Sequence, residues 1–519
     1  MALHHKVLPP TIKVTQPSTS VDWANSPFYL NTEARPWVKN PNHPRRAGVS
    51  SFGFGGSNFH VCVEEYTGPA RRPARMDPWP TELIVFGAAD AEGLLARLHA
   101  AKGGDAAALA IASQTGTDAA APTRIALVVK GDLDAKLNKA IEVVKSGKES
   151  VRGDVFFTPA ATVGPVAFLF PGQGSQSLDM GAAVHRFSAV ADTLDEAEQV
   201  TPGLARIMFP IPTFTAQDRK AQEAALTATQ WAQPALGALG VGLSRLLSTF
   251  GLTPAMAGGH SFGELVALHV AGSMDFPTLM RAAQKRGELM AAAARTPGSM
   301  AAVMGPSEAV AAHLGDKVVL ANLNAPEQTV IAGETAAVAA AMARLEAAGL
   351  RCTLLPVATA FHSPVVASAG EDLSRFLKGE KLSAPKLPVY RNTTAKPHGS
   401  NLAAALGEHL RSPVRWVEQI EAMYAAGARV FVEVGCGGVL TGLVSRILAD
   451  KPHLAVALET KGKDGLEGLQ VALGRLVAAG LPLNLAPLAQ DRTPGPNRFV
   501  AKPGSILING ANYGKPYPR

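Results

Sequence analysis

Gly259-His260-Ser261-Phe262-Gly263 is the stretch that most restricts how this chain can fold. A short apolar run, Ala255 to Ala257, leads into it, and an apolar, helix-favouring run, Leu265 to Ala271, leads out. The pattern reads as a strand, a sharp turn and a helix, the setting in which a Gly-x-Ser-x-Gly pentapeptide presents its serine as a nucleophile. The glycines permit the tight turn and keep side chains clear of an approaching substrate, and a helix N-terminus stands behind the hydroxyl. Ser261 is therefore the first candidate catalytic residue. Three fixed positions in a chain rich in alanine and glycine also arise by chance, so the assignment needs partners elsewhere.

At 519 residues the chain exceeds one ordinary core, and two to four domains are expected. A hydrophobic fraction of 47% with 18% charged residues excludes global disorder. Cys62, Cys352 and Cys436 are far apart and make no metal spacing; free thiols in a reducing cytoplasm are expected. No apolar run reaches membrane-span length, and the N-terminus lacks a signal-peptide pattern. The start at Met1-Ala2-Leu3-His4-His5 reads as a cut from a longer chain. The net charge of +7 is spread out, and its one local cluster, Arg71, Arg72 and Arg75, lies in a proline-rich stretch, so a solvated linker explains it better than nucleic acid does. A mildly basic surface suits an acidic protein partner or a phosphorylated thioester carrier.

Along the chain, the glycine-rich loop Ser51 to Asn58 has no Lys-Ser/Thr pair after it and so is no P-loop. Residues 67–160 alternate strand (82–86), helix (91–101), a low-complexity Ala/Gly stretch, strand (124–129) and helix (135–146), which predicts a small α/β layer. Val166-Ala167-Phe168-Leu169-Phe170 is wholly apolar, as a strand buried on both faces of a parallel sheet must be. It ends in Pro171-Gly172-Gln173-Gly174, at the sheet edge where open α/β folds bind ligands. In the helix begun by Asp275 and Pro277, Arg286 shares the inward face of Leu279, Ala282, Ala283, Leu289, Met290 and Ala293. An inward guanidinium needs an anion; with no carboxylate dictated by local spacing, a substrate carboxylate is one partner and internal pairing or snorkelling the other reading. Residues 299 to about 358 predict strand, helix, strand, helix, strand, with strands at 300–304, 329–332 and 352–357, and lead to His362 just ahead of a helix that Ser363 caps and Pro364 starts. Gly435-Cys436-Gly437-Gly438 lacks dinucleotide-loop spacing and reads as another edge loop.

Two resemblances draw these pieces together. Leu8-Pro9-Pro10-Thr11, Asn25 to Tyr29 and Arg45 to Val61 resemble the C-terminal end of a β-ketoacyl synthase, without its nucleophile or catalytic histidines. Residues 163–460 resemble the malonyl-CoA:acyl-carrier-protein transacylase family through Gly172 to Gln176, Gly259 to Gly263, Arg286-Gly287, Asn324-Ala325-Pro326, Ala360 to Ser363 and Glu433-Val434-Gly435. The resemblance implies an α/β fold with a parallel-sheet, α/β-hydrolase-like large subdomain, a ferredoxin-like small subdomain and a small α/β linker domain. The implied division is 1–66 synthase fragment, 67–160 linker, 161–298 large subdomain (first part), 299–360 small subdomain, 361–464 large subdomain (second part) and 465–519 terminal helix and tail.

The same resemblance implies the site. Ser261 is nucleophile and His362 base; backbone N–H groups of Gln173 and Phe262 form the oxyanion hole; Arg286, Phe361 and Asn324 bind substrate. His409, in Glu408-His409-Leu410-Arg411-Ser412-Pro413 where bacterial enzymes usually carry Gln, orients the base through its main-chain carbonyl. Phe361 resembles the malonyl-selecting version of its motif, whose first residue is Thr359 here where His is common. No cofactor or metal is implied: malonyl-CoA is substrate, the phosphopantetheine of an acyl carrier protein is acceptor, and an upstream β-ketoacyl synthase is partner. The synthase tail is most similar to the polyunsaturated fatty acid synthase branch of type I megasynthases, with enediyne and heterocyst-glycolipid synthases close behind. A serine thioesterase or hydrolase shares the elbow, and a non-catalytic docking fragment shares the tail; these are the alternatives.

Overall fold

The computed structural model describes residues 2–23, 25–68, 75–77, 79–116, 118–159, 164–293, 298–357, 359–460 and 464–493. Arg71, Arg72, the Arg75 side chain and the proline-rich tail from residue 494 lie outside the described residues.

The central sheet follows from the apolar strand. Val166–Phe170 is buried at every position and lies third in a five-stranded parallel sheet, ordered Val389–Tyr390, Met256–Gly259, Val166–Phe170, Val430–Gly437, Leu454–Thr460. Its period-two alternation feeds two cores. Phe168 and Phe170 face the helices Thr229–Thr249 and Phe276–Ala293, whereas Ala167 and Leu169 face Trp416–Ala425 and Val439–Ile447. A sheet covered on both faces explains why the strand shows no polar alternation in sequence. Every strand of this sheet ends at the same edge, which collects the loops that carry the candidate residues.

The insertion between Phe276–Ala293 and His362 runs strand Gly298–Met304, helix Ser307–Ala311, strands Val318–Ala325 and Gln328–Glu334, helix Thr335–Ala347 and strand Arg351–Leu354. The antiparallel order, Val318–Ala325, Gln328–Glu334, Gly298–Met304, Arg351–Leu354, is ferredoxin-like. Val318–Ala325 is a strand the sequence reading lacked. Two register irregularities, at Leu320/Asn322 and Leu323/Ala325, break its alternation and hide the period-two signal. The final strand stops at Leu354 rather than Val357, where Pro356 has no N–H to give a ladder.

Before the central sheet, Glu82–Ala88, Thr123–Val129 and Val155–Phe157 form an antiparallel sheet, covered on one face by Ala91–Ala100 and Leu133–Ser146. The Ala/Gly stretch read as low complexity is in part the helix Ala106–Thr115, capped by the Asp105 carboxylate. The other face of this sheet packs on the helix Gly465–Ala478, which also lies against Leu454–Thr460. At the joint a Cβ on Gly474 would stand 3.2 Å from both Leu83 and Phe156. The amino-terminal segment is fastened directly to the sheet's helices: Arg45, buried, forks onto both Asp195 carboxylate oxygens at 2.7 Å and onto Glu65, and Arg35 donates to the Phe209 carbonyl at 2.8 Å.

Gly474→Leu is expected to wedge that joint apart and lower the free energy of unfolding by about 1–3 kcal/mol in a urea titration. An unchanged midpoint would show that the layer is not packed on the terminal helix.

Candidate active site

The elbow forms because its glycines let three backbone segments touch. A Cβ on Gly259 would overlap the Gly263 carbonyl group, and one on Gly263 would overlap the Phe170 carbonyl, so both positions exclude any side chain. His260 donates its N–H to the Phe170 carbonyl at 2.9 Å, and the helix Gly263–Val270 starts directly afterwards. Ser261 is left at φ 50°, a left-handed conformation that a residue with a Cβ adopts only under constraint.

His362, 3% exposed, meets the serine from across the insertion, also at positive φ (57°). Ser261 Oγ lies 2.8 Å from His362 Nε2. His362 Nδ1–H donates to the main-chain carbonyls of His409 and Ser412, each at 3.1 Å. Those two acceptors fix the proton on Nδ1 and leave the Nε2 lone pair to accept from the serine hydroxyl. Burial, with the His409, Arg286 and His260 groups close by, holds the His362 pKa well below 6.5, so the ring is a neutral base at neutral pH.

Arg286 is 1% exposed, with Nη2 3.4 Å from Ser261 Oγ and, among the described residues, no acceptor for Nε. Among the described residues no carboxylate forms an ion pair with it. Burial lowers its pKa to about 10, which still leaves it cationic. The inward face expected from the sequence is buried at Leu279, Ala282, Ala283 and Met290 and half-buried at Leu289 and Ala293. Of the other expected residues, Gln173 lies on the loop beyond Val166–Phe170, its amide nitrogen 3.4 Å from the Thr227 carbonyl and its amide oxygen 3.4 Å from Gln233 Nε2. Phe262 is fully buried, and Phe361 packs against the cores of both the central sheet and the insertion. The side chain of Asn324 is engaged by His260, Oδ1 to Nε2 at 2.8 Å.

Beneath the dyad is a buried polar layer that sequence reasoning missed. Glu264, 1% exposed, accepts from His398 Nε2 at 2.8 Å and from the Asn392 N–H at 2.7 Å. Burial alone would raise its pKa; His409, His398 and that N–H outweigh burial and hold it at about 2. Burial pushes His409 down to about 4, against the pull of Glu264. A lone carboxylate within Gly263-Glu264-Leu265-Val266-Ala267-Leu268 was a legible signal. Asn392, just past a two-residue strand, carried none. Among the described residues no cluster of His, Cys, Asp and Glu could hold a metal ion, and no helix is long and apolar enough to cross a membrane.

A serine aligned with a neutral imidazole, at the carboxyl edge of a parallel sheet and beside a buried cation, is equipped to form and discharge an ester. The chain belongs to the acyl transferase domain family, which it matches over residues 167–476, and residues 17–125 match the ketoacyl-synthetase C-terminal extension. It is 32% identical to a polyunsaturated fatty acid synthase polypeptide of Thraustochytrium sp. over 99% of this chain and 20% of that protein. The acyltransferase domain from the second module of the salinomycin polyketide synthase is 30% identical, with a TM-score of 0.62 over 81% of this chain and 97% of that one. Malonyl-CoA:acyl carrier protein transacylase from Xanthomonas oryzae pv. oryzae is 35% identical, with a TM-score of 0.52 over 57% of this chain and 95% of that one. The chain spans only about a fifth of the length of the Thraustochytrium synthase polypeptide.

Because the His362 ring is held neutral, labelling of Ser261 by a fluorophosphonate is expected to keep a constant rate from neutral pH down past 6.5 and to slow only in more acid solution. A rate already halved at pH 6.5 would mean that the base titrates as an ordinary histidine.

Proposed function

We propose that this acyltransferase moves a malonyl group from malonyl-CoA to the phosphopantetheine thiol of an acyl carrier protein, supplying extender units to a fatty acid or polyketide megasynthase. The observation that carries the reading is Arg286: a guanidinium buried beside the nucleophile that, among the described residues, forms no ion pair with a carboxylate. Leaving such a charge unpaired is costly, and a substrate carboxylate supplies the missing partner bidentately.

In the first half-reaction His362 Nε2 takes the Ser261 hydroxyl proton as Oγ attacks the malonyl thioester carbonyl. Backbone N–H groups of Gln173 and Phe262 hold the oxyanion. The tetrahedral adduct collapses, the C–S bond breaks, and the histidine proton passes to the departing CoA sulfur, leaving a malonyl ester on Ser261. In the second half-reaction the carrier thiol gives its proton to His362 and attacks that ester, and collapse returns the proton to Ser261 Oγ. The His409 carbonyl, with that of Ser412, orients the ring throughout and stabilises the imidazolium. Phe361 and Asn324 line the substrate side, Phe361 favouring malonyl over branched homologues by the limited margin that one methyl allows.

A serine hydrolase would orient its histidine with a carboxylate. Glu308, Asp316, Glu327, Glu334 and Glu346, which lie between Ser261 and His362 in sequence, form no hydrogen bond with the ring, whose Nδ1 is occupied by two carbonyls. The segment at residues 1–66 is read as the end of an upstream β-ketoacyl synthase. Its hairpin, Arg46–Phe52 with Asn58–Glu64, is exposed on both faces, including Val49, Phe52, Phe59, Val61 and Val63, and a bare two-stranded hairpin is marginal in water. A cytoplasmic setting and the six-part division given above belong to the same reading.

Intact-mass spectrometry after mixing with malonyl-CoA is expected to show an adduct of about 86 Da on Ser261, absent from Ser261→Ala. Arg286→Ala should cut malonyl loading about a hundredfold or more while improving tolerance of acetyl groups. Undiminished malonyl loading by Arg286→Ala would overturn the assignment.

A further inference from the structure

The edge strand Val389–Tyr390 pairs in parallel with the strand that enters the elbow, Ala257 with Val389 and Gly258 with Tyr390. Ala257 donates its N–H to the Pro388 carbonyl at 2.9 Å, so the residues at 388 and 390 make the rungs. Continued by two residues, the same register sets Asn392 beside His260. In a parallel ladder the residue there would donate its N–H to the Gly259 carbonyl and accept the Ser261 N–H through its own carbonyl.

The backbone does neither. It turns away after Tyr390, giving the Asn392 N–H to Glu264 and its carbonyl to the Arg415 N–H. The side chain makes the rung instead: Asn392 Nδ2 donates to the Gly259 carbonyl at 2.6 Å, and Oδ1 accepts the Ser261 N–H at 2.7 Å. A carboxamide has the same donor and acceptor as a peptide group, which is why asparagine can stand in here. Its remaining capacity is filled as well. The second Nδ2 hydrogen goes to Gln419 Oε1 at 2.8 Å, and the second Oδ1 lone pair faces His409 Nε2 at 3.1 Å.

We infer that Asn392 is a positioning residue, whose side chain replaces the missing ladder rung across the elbow and locks Ser261 and His362 into one geometry. It reaches the nucleophile directly, through the Ser261 N–H. It reaches the base through His409, whose carbonyl accepts from His362 Nδ1. The clamp also removes the Ser261 N–H from the groups that could meet an oxyanion, which leaves that task to the next residue and to the Gln173 loop. Side chain in place of main chain lets the edge strand leave the site while the strained serine stays held.

This inference deepens the acyl-enzyme reading and rests on Ser261 being the nucleophile, so its test uses a reagent that needs no acyl-CoA. The second-order rate of fluorophosphonate labelling is measured on the full chain, together with the number of labelled sites, kcat per labelled site and the KM for malonyl-CoA. For Asn392→Ala, labelling and kcat per labelled site are expected to fall about 30-fold or more with KM within about twofold. Asn392→Asp keeps the acceptor for Ser261 but sets an oxygen against the Gly259 carbonyl, and is expected to lose activity in the same way. Should neither fold, Gln419→Met decides: it keeps both elbow bonds but frees the far side of the carboxamide, and is expected to slow labelling about threefold at unchanged KM. Fewer labelled sites, each reacting at the wild-type rate, in the Asn392 variants, or wild-type labelling in Gln419→Met, would overturn the inference. Wild-type protein that is labelled but never malonylated would refute the malonyl reading and leave the labelling comparison to judge Asn392 alone.

Discussion

The close approach of the elbow to the central strand is the constraint on which the site depends. Gly259 and Gly263 have no room for a Cβ, so the helix Gly263–Val270 begins against the end of Val166–Phe170 with nothing between them. That contact fixes where Ser261 stands and holds its backbone at positive φ. It also brings the Gln173 loop, which leaves the same strand, alongside the nucleophile. A displacement of about 1 Å is enough to spoil such an alignment, and the turn is held against it by steric exclusion at the glycines and by the buried Asn392 carboxamide that spans it.

Charge is distributed around that turn in two layers. Close to the serine are a neutral imidazole and a guanidinium that, among the described residues, forms no ion pair. One step further in, Glu264 is ionised and held by His398 and by the Asn392 N–H. Glu264 compensates the arginine through space but does not pair with it, so the cation stays stable in the fold and open to an incoming anion. A direct Glu264–Arg286 bridge would have satisfied both groups and blocked the site. In the proposed reaction the malonyl carboxylate relieves the cost of this buried cation.

The outer layers make the two halves of the site one body. The ferredoxin-like insertion stands between serine and histidine in sequence, and its partly polar strand Val318–Ala325 supplies Asn324 to the His260 ring. The terminal helix Gly465–Ala478 is shared between the central sheet and the preceding α/β layer, and Arg45 ties the amino-terminal segment to Asp195.

Local sequence determined the elements whose cause is local. The wholly apolar run at 166–170, the elbow glycines, the inward Arg286 and the Ser363-Pro364 helix start each specify a backbone conformation or a buried face within a few residues. Tertiary structure decided the rest, because the partner of a buried polar group depends on which distant segments the sheet order brings together. The 2.8 Å contact between Ser261 and His362 spans 101 residues, and the carbonyls of His409 and Ser412 were positioned by folding over another stretch of chain. Val318–Ala325 stayed hidden because its bulges erase the alternation that marks a strand. Asn392 was illegible for a different reason: its role exists only where a ladder runs out and a side chain continues it, a fact of register between two strands that no single stretch of sequence contains.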